Sequence, residues 1–294
     1  MFGEGTRVGV AQAPRDEGIS HSEKRLDADS RWETFPYWIL ILGGIVGYLG
    51  YLALFDEAYD IAWSRISEGI GMTIRITLWA FVISLSLGVV LGLGRIAEAD
   101  QTASPPVRIA ATIGRNLSRT YIEFVRGVPI LPLIFFLALV IIPDVTDMVG
   151  VSRQTVDEFW RGVIALSIIY GAYIAEVIRG GVQGIPRGQM EAGRSVGLSR
   201  LQTMRYVVLP QAMRSIIPPL GNDFIAILKD SSLLSVLAVA DVTRIARQYS
   251  SGSFKFRESY VVLVFIYVTL VLALSFLLTK LEERMTRDRK GERG

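Results

Sequence analysis

The sequence predicts an all-α membrane protein, and two observations carry this prediction. First, 51% of the 294 residues are hydrophobic, the mean hydropathy is positive, and several uncharged apolar runs have membrane length. A helix rises about 1.5 Å per residue, so ~20 residues cross a ~30 Å hydrocarbon core. Second, the apolar runs alternate with arginine-rich polar segments, as expected for a chain that crosses a bilayer repeatedly.

The apolar runs predict six membrane spans. They cover residues 38–55, 76–94, 127–143, 162–178, 215–240 and 260–279. The segment between the first two spans carries Trp63, Ile66 and Ile70 at helical spacing, and we expect it to lie on the membrane surface. Pro129, near the entry of the third span, should stand where the helix begins, since proline tolerates the first turn of a helix.

The fifth span is unusual because Asp223, Lys229 and Asp230 lie inside it. A charge at the centre of a span costs about 2.5–3.5 kcal/mol on insertion scales. A helix with three such groups is a poor lipid-facing helix. We therefore expect this segment to face protein or water and to be broken near residues 229–232.

The distribution of lysine and arginine predicts the orientation of the chain in the membrane. Of the 31 basic residues, 22 fall in the N-terminal tail, the second loop, the central loop and the C-terminal tail, and eight fall in the other three loops. Cytoplasmic loops carry the excess of positive charge. Both termini and the central loop, residues 179–214, should therefore be cytoplasmic.

Several classes of chemistry are excluded by composition. The chain has no cysteine and one histidine, His21, so it can build neither a His/Cys metal cluster nor a histidine-based catalytic site. It has no glycine-rich phosphate loop ending in Gly-Lys-Ser/Thr. We expect a non-catalytic chain that binds no metal and no cofactor of its own.

The central loop is too polar to cross a bilayer, and it contains six arginines but only one acidic residue. Gly197 permits a sharp corner, Ser199 can cap a helix that begins at Arg200, and Pro210 should end that helix. One helical stripe should carry Leu198, Leu201, Met204 and Val208. By pattern alone, this helix either docks into a partner or lies on the anionic inner leaflet.

The central loop also carries a family resemblance. Glu191-Ala192-Gly193, then Gly197, then Val207-Val-Leu209-Pro210 resembles the Glu-Ala-Ala signature of bacterial ABC importer permeases, with Gly193 and Val207 as small or apolar departures. Other stretches resemble the permeases for polar amino acids of the histidine, glutamine, arginine and glutamate type. They are residues 121–129, 172–181, 188–189, 209–212 and 228–233.

The resemblance implies the transmembrane domain of a type I ABC importer. A five-helix core would occupy residues 69–284 and include the coupling loop 179–214. Outside it would lie a mobile cytoplasmic tail (residues 1–35), an extra first transmembrane helix (36–56) and a short cytoplasmic tail (285–294). The family imports polar amino acids across the bacterial inner membrane by alternating access.

The resemblance also implies partners. They are a separate ATPase subunit that holds the ATP and Mg²⁺, a second permease copy or a related permease, an extracytoplasmic binding protein and membrane lipid, but no nucleic acid. The ATPase would dock on Glu191, Ala192, Gly193, Gly197, Leu198, Leu201, Leu209 and Pro210. The alternative from another class is a self-sufficient channel or ion-coupled carrier.

Polar residues inside the spans are the candidates for a solute pathway. Glu176 could meet the ammonium group of an amino acid, or it could pair with Arg179 at the cytoplasmic end. Helix ends at a broken span could meet the carboxylate. The further candidates are Asn222, Asp223, Lys229, Asp230, Ser231 and Ser232.

Overall fold

The computed structural model describes residues 37–96, 104–152 and 155–291, and every regular element in those ranges is helical. The α-helices are α1 (Tyr37–Phe55), α2 (Glu57–Ile66), α3 (Ile70–Ile96), α4 (Pro105–Gly127), α5 (Ile130–Phe136), α6 (Ile142–Met148), α7 (Glu158–Gln183), α8 (Arg187–Ser195), α9 (Arg200–Thr203), α10 (Leu209–Asp230), α11 (Val242–Ser253) and α12 (Phe256–Gly291). The all-α prediction is confirmed. The predicted N-terminal tail, residues 1–35, lies outside the described residues.

Shorter helical turns join some of these elements. They are the 3-10 turns Ser67–Gly69 and Ser231–Leu237 and the π-turns Leu137–Ile141 and Met204–Val208. A boundary between two compact units falls inside α1, after Gly47. The described part of the first unit is the apolar start of α1, and the second unit contains the rest of α1 and all later helices.

In the described part of the chain, four helical stretches are long and apolar enough to cross a membrane, namely Glu57–Ile96, Ile130–Met148, Glu158–Gln183 and Phe256–Glu283. They contain the second, fourth and sixth predicted spans and most of the third, which starts three residues later than the predicted 127–143 because α5 begins directly after Pro129. The first predicted span is helical and apolar but shorter, and the fifth is helical but carries charges. The total of six spans therefore stays a prediction.

The main core forms where α3 packs against α7. The two helices approach closely because glycines face large side chains across the contact. A Cβ atom on Gly88 would lie 2.5 Å from Cγ2 of Ile174, and one on Gly171 would lie 2.7 Å from Cδ2 of Leu87. Small residues at such contacts let helix backbones pack tightly in a membrane protein. This packing fixes α7, which carries Glu176.

The segment between the first two spans does not simply lie on the membrane surface. Its helix α2 buries Tyr59, Ala62 and Ile66 in a cluster that also contains Val242 and Val262. The apolar face that suggested membrane contact is therefore covered by α11 and α12. Periodicity identified the face correctly but could not show what would cover it.

Residues 105–127, nearly all of them in the predicted second loop, form the helix α4. Its buried side holds Ser118, Ile122 and Val125. Arginines at positions 108, 115, 119 and 126 recur at helical spacing, a signal that could have revealed the helix. Through this helix Arg126 reaches α7.

The predicted break in the fifth span is confirmed. The α-helical part α10 ends at Asp230, the 3-10 turn Ser231–Leu237 follows, and Ala238 adopts a left-handed φ of 70°. Asp241 then caps α11, accepting hydrogen bonds from the backbone N–H groups of Thr243 (3.2 Å) and Arg244 (2.9 Å). The break is thus a folded turn rather than a loose end.

Candidate functional site

The first candidate site is a helical corner formed by residues 187–208, within the predicted docking loop. Gly197 adopts a φ of +89°, a left-handed conformation that glycine accepts without steric cost. Ser199 then caps α9 by accepting from the N–H of Gln202 (3.3 Å), while Oε1 of Gln202 accepts from the N–H of Ser199 (2.9 Å). This capping box confirms the predicted corner and the predicted cap.

Close packing between α8 and α9 explains one departure from the family signature. Gly193 is buried, and a Cβ atom there would lie 2.4 Å from Cγ2 of Thr203. Such a distance is far below van der Waals contact. With threonine at position 203, only glycine fits at position 193 without a shift of the neighbouring side chain. The corner is therefore tightly packed as well as capped.

The prediction that Pro210 ends the helix of the corner is wrong. The helix continues from α9 through the π-turn Met204–Val208 into α10, and the N–H of Leu209 bonds to the carbonyl of Met204. Proline disrupts a helix interior because it lacks the N–H group and clashes with the preceding turn. Here Pro210 lies in the first turn of α10, directly after the π-turn, where it is tolerated.

The predicted apolar stripe is also corrected. Val208 is buried within the protein, whereas Leu201 is 78% exposed. The stripe assumed a continuous α-helix, and the π-turn changes which residues share a face. Val196, which the stripe did not include, is also 78% exposed. The corner therefore presents Val196 and Leu201 to its surroundings.

The remaining docking candidates lie around these two side chains. Glu191 and Ala192 are exposed, Leu198 is partly buried, and Leu209 is 40% exposed. An open groove of about 620 Å³ runs between α8 and α9. It is lined by Met190, Arg194, Gly197, Leu198, Ser199, Arg200 and Gln202. Two guanidinium groups in one groove suit a partner that carries carboxylates.

The second candidate site surrounds Glu176 on α7. Its carboxylate pairs with Arg179 one turn further on, with Arg95 at the end of α3 (2.7 Å) and with Arg126 on α4 (3.9 Å). Arg95 also pairs with Glu123 (3.2 Å). The alternative that Glu176 pairs with Arg179 is confirmed, and the structure adds two further arginines. We call these five residues the Glu176 cluster.

The other six pathway candidates lie at the end of α10 and in the 3-10 turn that follows. Asp230 accepts a hydrogen bond from the Tyr170 hydroxyl (2.7 Å), and the Ser231 hydroxyl donates to the carbonyl of Leu228 (2.8 Å). The exposed members are Asn222 and Lys229, and those partly buried are Asp223, Asp230 and Ser232. The hydrogen bonds described for Glu176 are with Arg95 and Arg179 and not with these six residues. The pathway candidates therefore form two separate groups, one around Glu176 and one along α10 and its 3-10 turn.

Sequence reasoning missed three residues of these sites. Arg95 lies 81 positions before Glu176, and Tyr170 lies 60 positions before Asp230. Glu123 joins the cluster only through Arg95. No local spacing connects residues so far apart, and only the packing of α3, α4, α7 and α10 brings them together.

Comparison with known proteins places this geometry in a family. The family described as "Binding-protein-dependent transport system inner membrane component" matches residues 108–287, which include the whole corner. The chain is 37% identical over 226 residues to the glutamine transport system permease protein GlnP of Escherichia coli strain K12, covering 76% of this chain and 97% of that protein. It is 36% identical over 212 residues to the probable glutamine ABC transporter permease protein GlnM of Bacillus subtilis strain 168, covering 72% and 91%.

A solved structure agrees with these relatives. The crystal structure of an amino acid ABC transporter with histidines matches with a TM-score of 0.64 at 33% identity, covering 75% of this chain and 94% of that chain. The family match spans more than half of the chain, and both named relatives are covered over nine-tenths of their length. The chain therefore belongs to the family of inner membrane components of binding-protein-dependent transport systems, and it is an integral membrane protein.

Proposed function

We propose that the chain is the permease subunit of an ATP-binding cassette importer that moves polar amino acids across the bacterial inner membrane. It works with a second permease, an extracytoplasmic binding protein and a separate ATPase subunit that holds the ATP and Mg²⁺. Relatives named as glutamine permeases and a similar amino acid transporter of known structure support this substrate class. Both termini and the corner face the cytoplasm, as the distribution of basic residues predicts.

The exposed corner is the observation that carries this proposal. Val196 and Leu201 are apolar and each 78% exposed, yet they stand on a corner that is capped and tightly packed. Burying an exposed leucine side chain stabilises a complex by about 1.5–3 kcal/mol. The groove arginines beside them add attraction for carboxylates. These features favour a protein pocket on the ATPase as the docking site.

Lying flat on the inner leaflet explains the corner less well. A membrane-surface helix needs a continuous apolar face over several turns. Here α9 has four residues, and the helix beyond it passes into a π-turn whose Val208 is buried in the protein. Exposed apolar side chains on a rigid corner, Val196 and Leu201 foremost, are better matched to a pocket than to a flat surface.

The same corner can transmit movement to the solute pathway. It continues through the π-turn into α10, which carries Asn222, Asp223, Lys229 and Asp230. When ATP closes the two ATPase subunits, the docked corners are drawn together and α10 is displaced. The cavity then opens outward to receive the solute from the binding protein. This is the alternating-access cycle that we propose.

Glu176 borders the pathway in this proposal, together with the six candidates on α10 and its 3-10 turn. The Glu176 cluster contains three guanidinium groups and two carboxylates. Its excess positive charge suits the carboxylate of an amino acid, while Glu176 is available to the ammonium group once an arginine moves. We expect Glu176→Gln to change uptake rate or solute preference in proteoliposomes.

Glu123→Gln is the matched control for this change, because the Glu123 side chain is 61% exposed and bonds only at the edge of the cluster. Its effect on uptake should be smaller. Uptake rate and solute preference that are both unaltered in Glu176→Gln would remove Glu176 from the pathway.

Co-purification tests the proposed function as a whole. The tagged chain is recovered from detergent-solubilised native membranes, and ATPase activity is assayed on the eluate. We expect a P-loop ATPase with the parent protein, and its loss with Leu201→Asp or Gly197→Asp. Gln248→Asp is the control, since Gln248 is exposed on α11, away from the corner in sequence. A parent protein that elutes alone, without ATPase activity, favours the channel or ion-coupled carrier instead.

A further inference from the structure

Away from the proposed ATPase-binding surface, a pair of glutamines connects α8 to α10, the helices on either side of the corner. Nε2 of Gln211 donates to Oε1 of Gln189 (3.1 Å) and to the backbone carbonyl of Val207 (2.9 Å). Gln189 lies on α8 and Gln211 on α10. The pair therefore joins two helices that lie on opposite sides of the turn at Gly197 in the chain.

The Val207 carbonyl fixes the orientation of both side-chain amides. A carbonyl oxygen only accepts hydrogen bonds, so the atom of Gln211 beside it must be the NH₂ group. The same NH₂ group uses its second hydrogen toward Gln189, which must then present its oxygen. Gln211 is thus the donor to both partners, and Gln189 is an acceptor.

The position of Gln211 is matched to the irregular backbone beside it. Pro210 has no N–H group, so the helix has one backbone donor fewer at this turn. The Val207 carbonyl belongs to the π-turn that precedes Pro210. The side chain of Gln211 supplies an extra donor to that turn and uses the same group to reach α8.

Two contacts join the helices on either side of the corner. Gly193 packs on Thr203 near the turn, and Gln189 meets Gln211 further from it. Between these helices, Gly197 is the one residue of the described corner that has a positive φ, and a glycine is the natural place for a hinge. With only the inner contact, a load on Val196, which caps the end of α8, bends the corner at Gly197 instead of moving α10.

We propose that Gln211 and Gln189 are positioning residues that lock α8 to α10, so that ATP-driven movement of α8 reaches the solute pathway. This inference rests on the proposed function. Neither residue touches solute or nucleotide. Without the lock, the ATPase still binds Val196 and Leu201 and still hydrolyses ATP, but part of each stroke is lost as bending of the corner.

The test uses the complete importer, with its ATPase and binding protein, in proteoliposomes, and measures solute moved per ATP hydrolysed. Gln189→Ala and Gln211→Ala should each lower this ratio about fivefold, the factor that one hydrogen bond of ordinary strength makes in an equilibrium. ATPase affinity should stay at the parental value. Gln248→Ala, an exposed glutamine on α11, should leave the ratio unchanged.

Two conservative variants separate the lock from a general structural role. Gln189→Glu keeps an acceptor for Nε2 of Gln211, so the ratio should stay near the parental value. Gln211→Glu has no donor and sets a carboxylate against the Val207 carbonyl, so the ratio should fall as in Gln211→Ala. If a position-211 variant fails to fold, the comparison of Gln189→Ala with Gln189→Glu still decides the matter.

The outcomes distinguish this inference from the proposed function. A parental ratio in all four variants, or equal effects of Gln189→Glu and Gln211→Glu, overturns the lock while leaving the importer intact. A parent chain that binds no ATPase overturns the proposed function itself.

Discussion

The π-turn at the corner and the 3-10 turn at the helix break are two interruptions of regular helix held by different means. The corner is stabilised mainly by neighbours in sequence, such as the capping box of Ser199 and the contact of Gly193 with Thr203. The break is held by residues far away in the chain. Tyr170 donates to Asp230, and Oγ1 of Thr73 accepts from the N–H of Val242 (3.2 Å).

The difference follows from what surrounds each interruption. The corner is largely exposed, so its apolar side chains are available to a partner, and local bonds are sufficient to shape it. The break is partly buried in the protein, with Ser231, Leu234, Ser235 and Asp241 buried, and a buried backbone group needs a hydrogen-bond partner because water is excluded there. The π-turn at the corner is therefore accessible to a partner protein, whereas the 3-10 turn at the break is stabilised by contacts with other helices of the chain.

The largest expected effect is at the break. A Cβ atom on Gly69 would lie 2.6 Å from the backbone nitrogen of Val242, and a backbone atom cannot rotate away as a side chain can. Gly69→Ala should lower the free energy of unfolding by about 3 kcal/mol. Gly71→Ala is the control, because nothing lies within 4 Å of its Cβ position. It should be neutral or slightly stabilising. Thermal unfolding in detergent measures both, and equal melting temperatures would show that the break is not tightly held.

A pH-dependent effect is expected at the residue that caps the helix after the break. Burial raises the pKa of Asp241 to about 6 from 3.8, with hydrogen bonds from Arg244 and Thr243 opposing the shift. The folded state then binds the proton more tightly than the unfolded chain, so stability is lost as pH rises through about 6.

Asp241→Asn keeps the cap and removes this titration. We expect the variant to be more stable than the parent by about 3 kcal/mol at pH 8 and nearly equal to it at about pH 3. Melting temperatures of both proteins across this range provide the measurement. A difference that does not change with pH would contradict the burial of an ionised Asp241 at the break.

A smaller effect is expected at the corner. Gly193→Ala introduces a clash with a single side chain, Thr203, and should cost about 1–2 kcal/mol. Because the clash is with a side chain, Thr203→Ala should relieve it, and the double variant should recover most of the stability. Melting temperatures of the two single variants and the double variant form the cycle. Additive losses would mean that the corner is held by something other than this contact.

The same contrast explains what sequence could predict. The corner at Gly197, the Ser199 cap and the break after Asp230 were all anticipated, because each depends on the local chemistry of glycine, serine or charged residues within an apolar run. The π-turn was not, and this made the expectations for Pro210 and for the apolar stripe wrong. The family signature indicated where the docking loop lies but carried no information about that turn.

Contacts between distant helices could not be derived from one sequence. Arg95 lies in the predicted second loop, and nothing in its sequence neighbourhood indicates Glu176 as a partner. The helix α4 has the polar composition of a loop, and in the sequence only the spacing of its arginines indicates a helix. The Gln189–Gln211 pair lay inside recognised motifs, yet its geometry depends on how the corner folds.

A cross-linking experiment at position 201 tests the central claim most directly. The chain has no cysteine, so Leu201→Cys creates a unique attachment point on the exposed knob of the corner. A photo-activated cross-linker on this cysteine, used in native membranes, should capture a polypeptide with a P-loop ATPase sequence. Gln248→Cys should not capture it. Cross-links from position 201 to lipid alone, or labelling of that cysteine from outside intact cells, would contradict the account.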